Sequence, residues 1–394
     1  MTTTLFPDEV ISSHRVEITS SITDLLRCHV PVAIGVSGGK DSTVAAFETQ
    51  AYLQSIGHRG PCILIHSDLG RVEHTDSRPS CERLARRLGL DLIVVRRTSG
   101  DLMDRWLQRW RDNLERYRHL KCVKPVLPWS TPSMRFCTSE LKTAIICRDL
   151  IERFPHQTII SVAGLRRQES PARALAPIAA PQTKLASKTF QTSGYTWHPI
   201  LSWTLEEVLA SHEARQFPLH EAYTRYGMSR VSCAYCILAG VEDLAASATD
   251  PRNHDLYREM VDLEIASSFS FQSERWLGDV APRLLCGEQL AGLQEAKRRA
   301  ALREQVERRI PAHLLYTKGW PSVMPTRQEA MVLGEVRRSM ADIMRIDLLY
   351  TDPEAILNRY AELMALNAKR GRAVSSTTSG PLSQRLLLEE EALV

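Results

Sequence analysis

The sequence predicts an α/β protein in which a doubly wound, mostly parallel sheet is followed by a helical C-terminal domain. In the first third of the chain, short apolar runs alternate with segments of helical periodicity, which is the pattern of βαβ units. After residue 240 strand signals disappear and helical segments dominate, until a Ser/Thr/Gly-rich stretch near the end. These shifts predict an α/β domain over residues 1–240, a helical domain over 241–370 and a flexible tail over 371–394.

The first strand and the first helix of this pattern are joined by a tight turn with two glycines. The run "VPVAIGV" over residues 30–36 is short and apolar and predicts a strand. Beyond the turn, Val44, Phe47, Ala51 and Tyr52 recur at the spacing of one helix face. The strand therefore leads directly into a helix.

Further strands and helices follow in alternation. Strands are predicted for "PCILIHSD" (61–68), "LDLIVVRR" (90–97) and "HQTIISVAG" (156–164), and helices over 80–88, 101–119 and 138–154. The polar, Pro-bearing segment 165–194 is interpreted as a long loop, and such loops are often functional. Because the carboxyl ends of parallel strands meet at one edge of a sheet, ligands are expected at that edge.

Composition and charge are those of an ordinary soluble globular protein. Hydrophobic residues make up 43% of the chain, and the formal net charge of +4 permits nucleic-acid binding without arguing for it. No apolar run approaches the ~18 residues of a membrane span, and the first ten residues lack a secretory signal. We expect a cytoplasmic protein with no membrane association, in which the nine cysteines are reduced thiols, metal ligands or sulfur carriers.

The turn after the first strand has the chemistry of a phosphate site. Its sequence "SGGKDS" places glycines at a strand end and hydroxyls at a helix start, where backbone N–H groups and the helix dipole favour anions. It is not a Walker loop, because Ile34 replaces the first glycine and Asp41 follows the lysine. A turn that only joins strand to helix is the alternative. The predicted nucleotide-binding residues are Ser37, Gly38, Gly39, Lys40, Asp41 and Ser42, the last three also catalytic.

The same turn resembles the S-G-G-x-D-S loop of the N-type ATP pyrophosphatases (PP-loop proteins), which cleave ATP between its α- and β-phosphates. The segments "IHSDLG", "GLRRQESPAR", "HPILSWTLEEV" and "YGMSRVSCAYC" resemble, in order, motifs of the phosphoadenosine phosphosulfate (PAPS) reductase superfamily. The resemblance extends over about residues 32–239. It implies a HUP-type fold, similar to the adenine nucleotide α-hydrolases, with ATP and Mg²⁺ as cofactors.

The resemblance also implies roles for individual residues. Asp68 is expected to bind Mg²⁺ or the ribose, with a helix cap as the alternative. Glu169 is expected to orient an arginine rather than to act as a base. Lys40 and Lys142 are expected to neutralise the pyrophosphate leaving group, although Lys142 also suits a solvated helix face. Gly164, like Asp68, is expected to contact the nucleotide. The expected substrate-binding residues are Arg135, Arg166, Arg167, Glu169, Ser170 and Arg173, and the arginines among them can bind phosphate or sulfate in a bidentate manner. The expected catalytic residues beyond the turn are Cys137, Lys142, Arg166 and Arg173.

Three cysteines lie on positions similar to those of the superfamily. Cys233 and Cys236 form a C-x-x-C pair, and Cys137 precedes a predicted helix. A 4Fe-4S cluster needs four ligands, so a fourth ligand is unknown unless the fold supplies Cys122, Cys147 or Cys286. A thiol relay that carries persulfide needs only two cysteines. A structural zinc site would usually need a second C-x-x-C pair or added histidines, and no second pair is present. Simple burial in the core is the remaining alternative.

Departures from the reductase pattern favour a different branch of the superfamily. No terminal Glu-Cys-Gly-x-His segment is present, and Phe136 rather than a second cysteine precedes Cys137. The segment "PWSTPSMRFCTSELK" instead looks like that of the ATP pyrophosphatases of bacterial DNA phosphorothioation systems of the Dnd and Ssp types. Trp129 and Arg135 hold the matching places with Cys137.

This resemblance implies an enzyme that adenylates a DNA backbone phosphate for sulfur insertion. A cysteine desulfurase would donate the sulfur, and DNA and other modification-complex proteins would be partners. A sulfonucleotide reductase, an RNA thiolase and a non-enzymatic nucleotide-sensing subunit are the alternatives, and the oligomeric state is not indicated. The basic segment 296–309 is a candidate DNA contact or a solvated helix face.

Overall fold

The computed structural model describes residues 16–377. Its contacts divide these residues into two units. Unit 1 comprises residues 16–103 and Ser130–Leu256, and unit 2 comprises Asp104–Trp129 and residues 257–377. The segment Asp104–Trp129, which the sequence places with the α/β domain, thus packs within unit 2. No helix within the described range is long and apolar enough to cross a membrane.

Within the described residues, unit 1 forms a six-stranded sheet with the strand order β3-β2-β1-β4-β6-β5. The strands are β1 Val32–Gly35, β2 Cys62–Asp68, β3 Leu92–Arg96, β4 Thr158–Ala163, β5 Ala179–Pro181 and β6 Ser193–Trp197. All neighbouring pairs are parallel except β5 and β6. The predicted α/β class with a mostly parallel sheet is confirmed.

The interpretation of residues 165–194 as one long loop is wrong in its last part. The segment contains β5, and β6 begins at Ser193. β5 has three residues and ends in proline, which is tolerated on an edge strand but gives no strand signal. β6 includes Gly194, where a Cβ would lie 2.6 Å from the Ile159 carbonyl oxygen, so β4 and β6 approach closely there.

Helices cover the sheet and build unit 2. In unit 1 they are α1 Ser20–Arg27, α2 Lys40–Ser55, α3 Ser77–Leu88, α5 Phe136–Thr138, α6 Ala144–Arg153, α7 Pro171–Ala174, α8 Leu205–Ala214, α9 Glu221–Thr224 and α10 Val241–Ser247. Helix α4 Leu102–Arg118 and helix α11 His254–Ser267 begin in unit 1 and continue in unit 2, which also holds α12 Gly287–Glu307, α13 Arg327–Met344 and α14 Pro353–Thr377. A π-turn, Ser139–Thr143, interrupts the helix predicted over 138–154.

The two faces of β1 are both buried, which explains why its sequence is apolar without alternation. Val32 and Ile34 pack in one core cluster with residues of α1, α2 and α3. Ala33 lies in a second core cluster, which includes residues of α6. The register pairs Gly35 of β1 with Ala163 of β4. The loops that follow these two strands therefore leave the sheet side by side.

Unit 2 is helical in the described residues, which confirms the predicted helical C-terminal region. Arg337 of α13 is 1% exposed and ties several segments of this unit together. Its guanidinium donates to the carbonyl oxygens of Tyr117 at 3.0 Å, Tyr350 at 3.0 Å and Leu349 at 2.6 Å. Helix α14 continues to Thr377, and the rest of the predicted tail lies outside the described residues.

Glu264 of α11 organises the loop between α11 and α12. Its side chain is fully buried, and its two oxygens accept the N–H groups of Phe271 at 2.7 Å, Leu277 at 2.8 Å and Gly278 at 3.0 Å. Burial raises the pKa of this carboxyl to about 7. A loop whose only helical segments in the described structure are two short 3₁₀ turns, Leu277–Asp279 and Pro282–Leu284, is thereby held by one acidic side chain.

We expect Glu264→Gln to destabilise the protein by about 1–3 kcal/mol, because the amide NH₂ would face a backbone N–H that now donates to the carboxyl. Urea unfolding followed by circular dichroism measures this effect. Glu304→Gln on the exposed side of α12 is the control, with an expected change within about 0.5 kcal/mol. Equal stability of the two variants would contradict the role of Glu264.

Candidate functional site

A cavity of about 480 Å³ opens in unit 1 where β1 and β4 end. The loop after β1, the loop after β4, the segment around Cys137 and residues 229–238 line it. The predicted site residues that it brings together are Ser37, Gly39, Lys40, Asp41, Ser42, Arg135, Cys137, Lys142, Gly164, Arg166, Glu169, Arg173, Cys233 and Cys236. Residues scattered over about 200 positions of sequence thus share one cavity.

The remaining predicted residues lie outside this lining: Gly38, Asp68, Arg167 and Ser170. Asp68 accepts the N–H of Gly70 at 2.8 Å and so caps the turn after β2. Ser170 caps the short helix α7 through its side chain. The guanidinium of Arg167 donates to Ser202 at 3.2 Å. In this structure Asp68 and Ser170 hold local turns, and Arg167 contacts a residue 35 positions away rather than the cavity.

The turn over residues 37–42 is braced from within. Gly38 adopts φ +75°, a conformation that glycine tolerates best. The Ser42 hydroxyl donates to the Gly39 carbonyl at 3.0 Å and lies 3.3 Å from the backbone N of Ser37. Gly39 caps the 16-residue helix α2 without a side chain. The first turn of a long helix therefore borders the cavity with its positive end.

Lys40 is buried beside the turn and is held by a second segment. Its ammonium donates to the Ser229 carbonyl at 3.0 Å and lies 4.6 Å from the centre of the Tyr223 ring. Burial lowers the pKa of Lys40. The Tyr223 hydroxyl accepts the N–H groups of Lys40 at 3.3 Å and of Val231 at 3.2 Å. Tyr223 thus fastens the turn to residues 229–231, a contact across 183 positions that no local pattern predicts.

The loop after β4 is locked to the start of α2 by charge. Arg166 donates to Asp41 at 2.5 Å and to Gln168 at 3.1 Å. Glu169 accepts the backbone N–H of Arg166 at 2.9 Å and forms an ion pair with Arg173. Glu169 therefore contacts two arginines of the same loop.

The cavity is basic overall. Among its described lining residues, the acidic side chains are Asp41, Glu73 and Glu169, and the basic ones are Lys40, Arg135, Lys142, Arg166, Arg173 and Arg230. Each acidic side chain has a cationic or imidazole partner, since Glu73 lies 3.2 Å from the His66 ring. The surplus of positive charge suits a polyanion such as a triphosphate. Arg230 was not predicted individually as a site residue, although it lies in the segment "YGMSRVSCAYC", which resembles a motif of the superfamily.

Gly164 explains how closely the two loops approach. A Cβ at this position would lie 2.6 Å from the Asp41 carbonyl oxygen and 2.7 Å from the Ser42 Cα. These are backbone atoms, which cannot rotate out of the way. A side chain at position 164 would push the turn over residues 37–42 from its place.

Cys137, Cys233 and Cys236 border the same cavity. Burial raises the pKa of Cys233, while the charge of Lys142 acts in the opposite direction. Within residues 16–377, no group of three or more His, Cys, Asp or Glu side chains is arranged to hold a metal ion. The lining also provides one cysteine fewer than a cluster needs. Within the described residues, a cluster at this cavity would therefore lack a fourth cysteine ligand.

None of the cysteines considered as a fourth ligand lines the described cavity. Cys147 is buried in the core between α6 and the sheet, and Cys122 is buried in unit 2. Cys286 is exposed and precedes α12 in unit 2.

Comparison with protein families finds one match. Residues 31–239, more than half of the 394-residue chain, match the family model described as phosphoadenosine phosphosulfate reductase domain. The match contains every residue that lines the cavity. No curated protein sequence matches the chain significantly.

Solved structures with partial similarity include three nucleotide or sulfur enzymes. FMN adenylyltransferase from Candida glabrata, in complex with FAD and inorganic pyrophosphate, is 15% identical over 56% of this chain and 60% of that chain, with a TM-score of 0.35. PAPS reductase from Candida auris is 12% identical over 51% and 80%, with a TM-score of 0.33. The U34-tRNA thiolase from Methanococcus maripaludis with its 4Fe-4S cluster is 17% identical over 71% and 75%, with a TM-score of 0.35. The chain thus spans 60% of the length of the first of these.

We expect Gly164→Ala to destabilise the protein by about 1–3 kcal/mol, as overpacking against backbone does, and to weaken ATP binding at least tenfold. Unfolding in urea and titration calorimetry with ATP measure the two effects. Gly287→Ala is the matched control, because a Cβ there meets nothing within 4 Å. A Gly164→Ala protein that binds ATP like the parent would refute the close approach as a functional constraint.

Proposed function

This chain belongs to the phosphoadenosine phosphosulfate reductase domain family, and we propose that it is an ATP pyrophosphatase that activates a DNA backbone phosphate for sulfur insertion. We call the turn over residues 37–42 the phosphate turn. The observation that carries the proposal is the single cavity in which this turn, a surplus of basic side chains and three cysteines meet. The turn and the basic side chains would serve activation of the acceptor, and the cysteines would serve delivery of sulfur.

The phosphate turn is the proposed site for the ATP phosphates. Backbone N–H groups at the start of α2 would bind the β- and γ-phosphates. Lys40 and Lys142 would neutralise the charge that develops on the leaving pyrophosphate. The pKa of buried Lys40 is lowered, and a bound phosphate would favour its charged form again.

Mg²⁺ fits this site as an ion held mainly by the nucleotide. The acidic side chains of the lining already contact basic groups. Mg²⁺ commonly binds through substrate phosphates with only one or two carboxylates. When bound it would withdraw charge from the phosphates. Asp41 is the carboxylate on the turn itself.

The first chemical step is proposed to be adenylation of the acceptor. A non-bridging oxygen of a DNA phosphodiester attacks the α-phosphorus of ATP, the bond to the β-phosphate oxygen breaks, and pyrophosphate leaves. This step needs positioning and charge stabilisation but no thiol. Arg135 and Arg230 are the lining arginines that we assign to the acceptor, since Arg166 is engaged with Asp41 and Arg173 with Glu169.

The second step is proposed to transfer sulfur from a persulfide that a cysteine desulfurase partner supplies. The terminal sulfur bonds to the DNA phosphorus and AMP leaves, and a second thiol then breaks the sulfur–sulfur bond. The resulting disulfide is reduced by a cellular thiol. Because burial raises the pKa of Cys233, its thiolate is disfavoured, and we assign sulfur acceptance to Cys137 or Cys236.

Reduction of a sulfonucleotide is the second candidate, because the matching family bears that name. The sequence has no Glu-Cys-Gly-x-His segment of the kind seen in the reductases, and its last cysteine, Cys286, lies beyond the family match and in unit 2. This difference makes reduction the second rather than the first candidate. Release of pyrophosphate from ATP supports the first proposal, and release of sulfite from PAPS supports the second. Pyrophosphate release with RNA as the acceptor would indicate an RNA thiolase, and neither product would indicate a nucleotide-sensing subunit.

We expect Ser42→Ala and Asp41→Ala to lower pyrophosphate release from ATP at least a hundredfold in a folded protein. The first change removes the hydroxyl that braces the turn, and the second removes its tie to Arg166. Loss of one positioned group at a charge-stabilising site has an effect of about this size. Ser55→Ala at the other end of α2 is the control. Parental activity in Ser42→Ala would rule out the pyrophosphatase function.

The two half-reactions are expected to separate when the cysteine pair is changed. Cys233→Ser combined with Cys236→Ser should retain ATP binding and abolish sulfur incorporation into DNA, because only the second step needs a thiol. Calorimetry with ATP and mass spectrometry of DNA from cells that also express the partner proteins measure the two. Cys28→Ser combined with Cys286→Ser changes two exposed cysteines and is the control. Undiminished incorporation in the Cys233/Cys236 variant would assign these cysteines a structural role.

A further inference from the structure

Unit 2 contains a second cavity, of about 520 Å³, which we call the basic cavity. Helix α4, helix α14 and the turn at residues 318–320 line it. Asp112 is the acidic residue among its described lining residues. The basic lining residues are Arg105, Arg109, Arg116, Lys121, Lys318, Arg359 and Arg370. The lining therefore carries a formal excess of six positive charges, seven basic residues against one acidic residue.

The basic residues follow the helix period. Arg105, Arg109 and Arg116 lie four and eleven residues apart, on one face of α4. Arg359 and Arg370 are also eleven residues apart on α14, with Leu363 between them on the same face. Each helix thus carries one row of basic residues along the cavity, and on α14 Arg359 also forms an ion pair with Glu362 at 2.9 Å.

The floor of the basic cavity is held by backbone contacts. Arg109 is 3% exposed and donates to the Leu127 carbonyl at 3.2 Å. Arg359 donates to the His119 carbonyl at 3.1 Å. These two arginines are therefore fixed in place within the fold, while Lys121 and Lys318 are exposed at the rim.

The length of the two rows distinguishes a polymer from a single anion. Eleven residues of helix extend over about 16 Å, at about 1.5 Å per residue. One strand of duplex DNA carries a phosphate about every 3.4 Å along the axis. Each row is therefore about as long as a stretch of four or five phosphates. A lone phosphate or sulfate needs only two or three of these side chains.

We propose that the basic cavity binds the phosphodiester backbone of a nucleic-acid strand, with Trp320 stacking on a base. Trp320 is half-buried in the lining, and base–aromatic stacking is a common feature of single-strand sites. The choice of DNA as the strand rests on the proposed function. The proposed nucleic-acid contact of unit 2 is therefore this cavity, whose described lining contains no residue of the basic segment 296–309.

The experiment uses the full chain and fluorescent 20-nucleotide probes of one sequence: single-stranded DNA, duplex DNA and single-stranded RNA. Lys121→Gln combined with Lys318→Gln removes two exposed rim charges. Lys188→Gln combined with Lys369→Gln removes two exposed lysines outside the lining and is the matched control. Fluorescence anisotropy at several salt concentrations gives Kd and its salt dependence.

We expect the rim variant to bind DNA about tenfold more weakly and to reduce the salt slope of log Kd by about two, one for each lost phosphate contact. The control variant should match the parent within twofold. Trp320→Leu should weaken single-stranded DNA at least fivefold and duplex DNA less. Its backbone pairing with Thr317 does not involve the ring.

Equal binding by the rim and control variants would overturn the proposal. Competition by ATP or AMP as effective as the oligonucleotide would show a small-anion site and would also overturn it. Tighter binding of RNA than of DNA would overturn the choice of DNA. If the parent chain releases no pyrophosphate from ATP but binds DNA in a rim-dependent manner, the proposed function fails while the basic cavity stands.

Discussion

The candidate site depends on the parallel register that sets Gly35 of β1 beside Ala163 of β4. Both strands end at the same level, so the phosphate turn and the loop after β4 leave the sheet as neighbours. Gly164 then lets the two backbones approach within a distance that any Cβ would prevent. At this separation Arg166 donates to Asp41 and links the two loops. The placement of the charged side chains of the site therefore depends on this backbone geometry.

The electrostatics of the cavity show how a basic site is kept stable inside a fold. Burying an ammonium without a partner costs free energy, and Lys40 offsets this cost with the Ser229 carbonyl and the Tyr223 ring. The acidic side chains of the lining compensate part of the remaining charge. A positive surplus is nevertheless left where the helix α2 begins, so an incoming polyanion would meet donors that are already held in position.

The sequence predicts the parts of this arrangement that are local. An apolar strand, two glycines and a helix start are consecutive in the chain, so the positions of β1, the turn and α2 could be predicted. Tyr223 could not, because its contact with Lys40 exists only after residues 183 positions apart have folded together. β5 was missed because three residues ending in proline carry too little strand signal. The position of Asp104–Trp129 in unit 2 and the basic cavity depend on packing between helices far apart in sequence.

Lys142 connects the two steps of the proposed chemistry. Its charge favours the thiolate of Cys233 against the effect of burial, which raises the pKa of that thiol. The same ammonium is proposed to bind the pyrophosphate leaving group. While pyrophosphate neutralises Lys142, the thiolate loses that support, and when pyrophosphate departs the support returns. Because such coupling is reciprocal, a Cys233 thiolate also weakens the binding of pyrophosphate to Lys142. Under the proposed function, in which Cys137 or Cys236 accepts the sulfur, Cys233 would act as the second thiol, and its thiolate would be favoured after adenylation, when the sulfur–sulfur bond has to be broken.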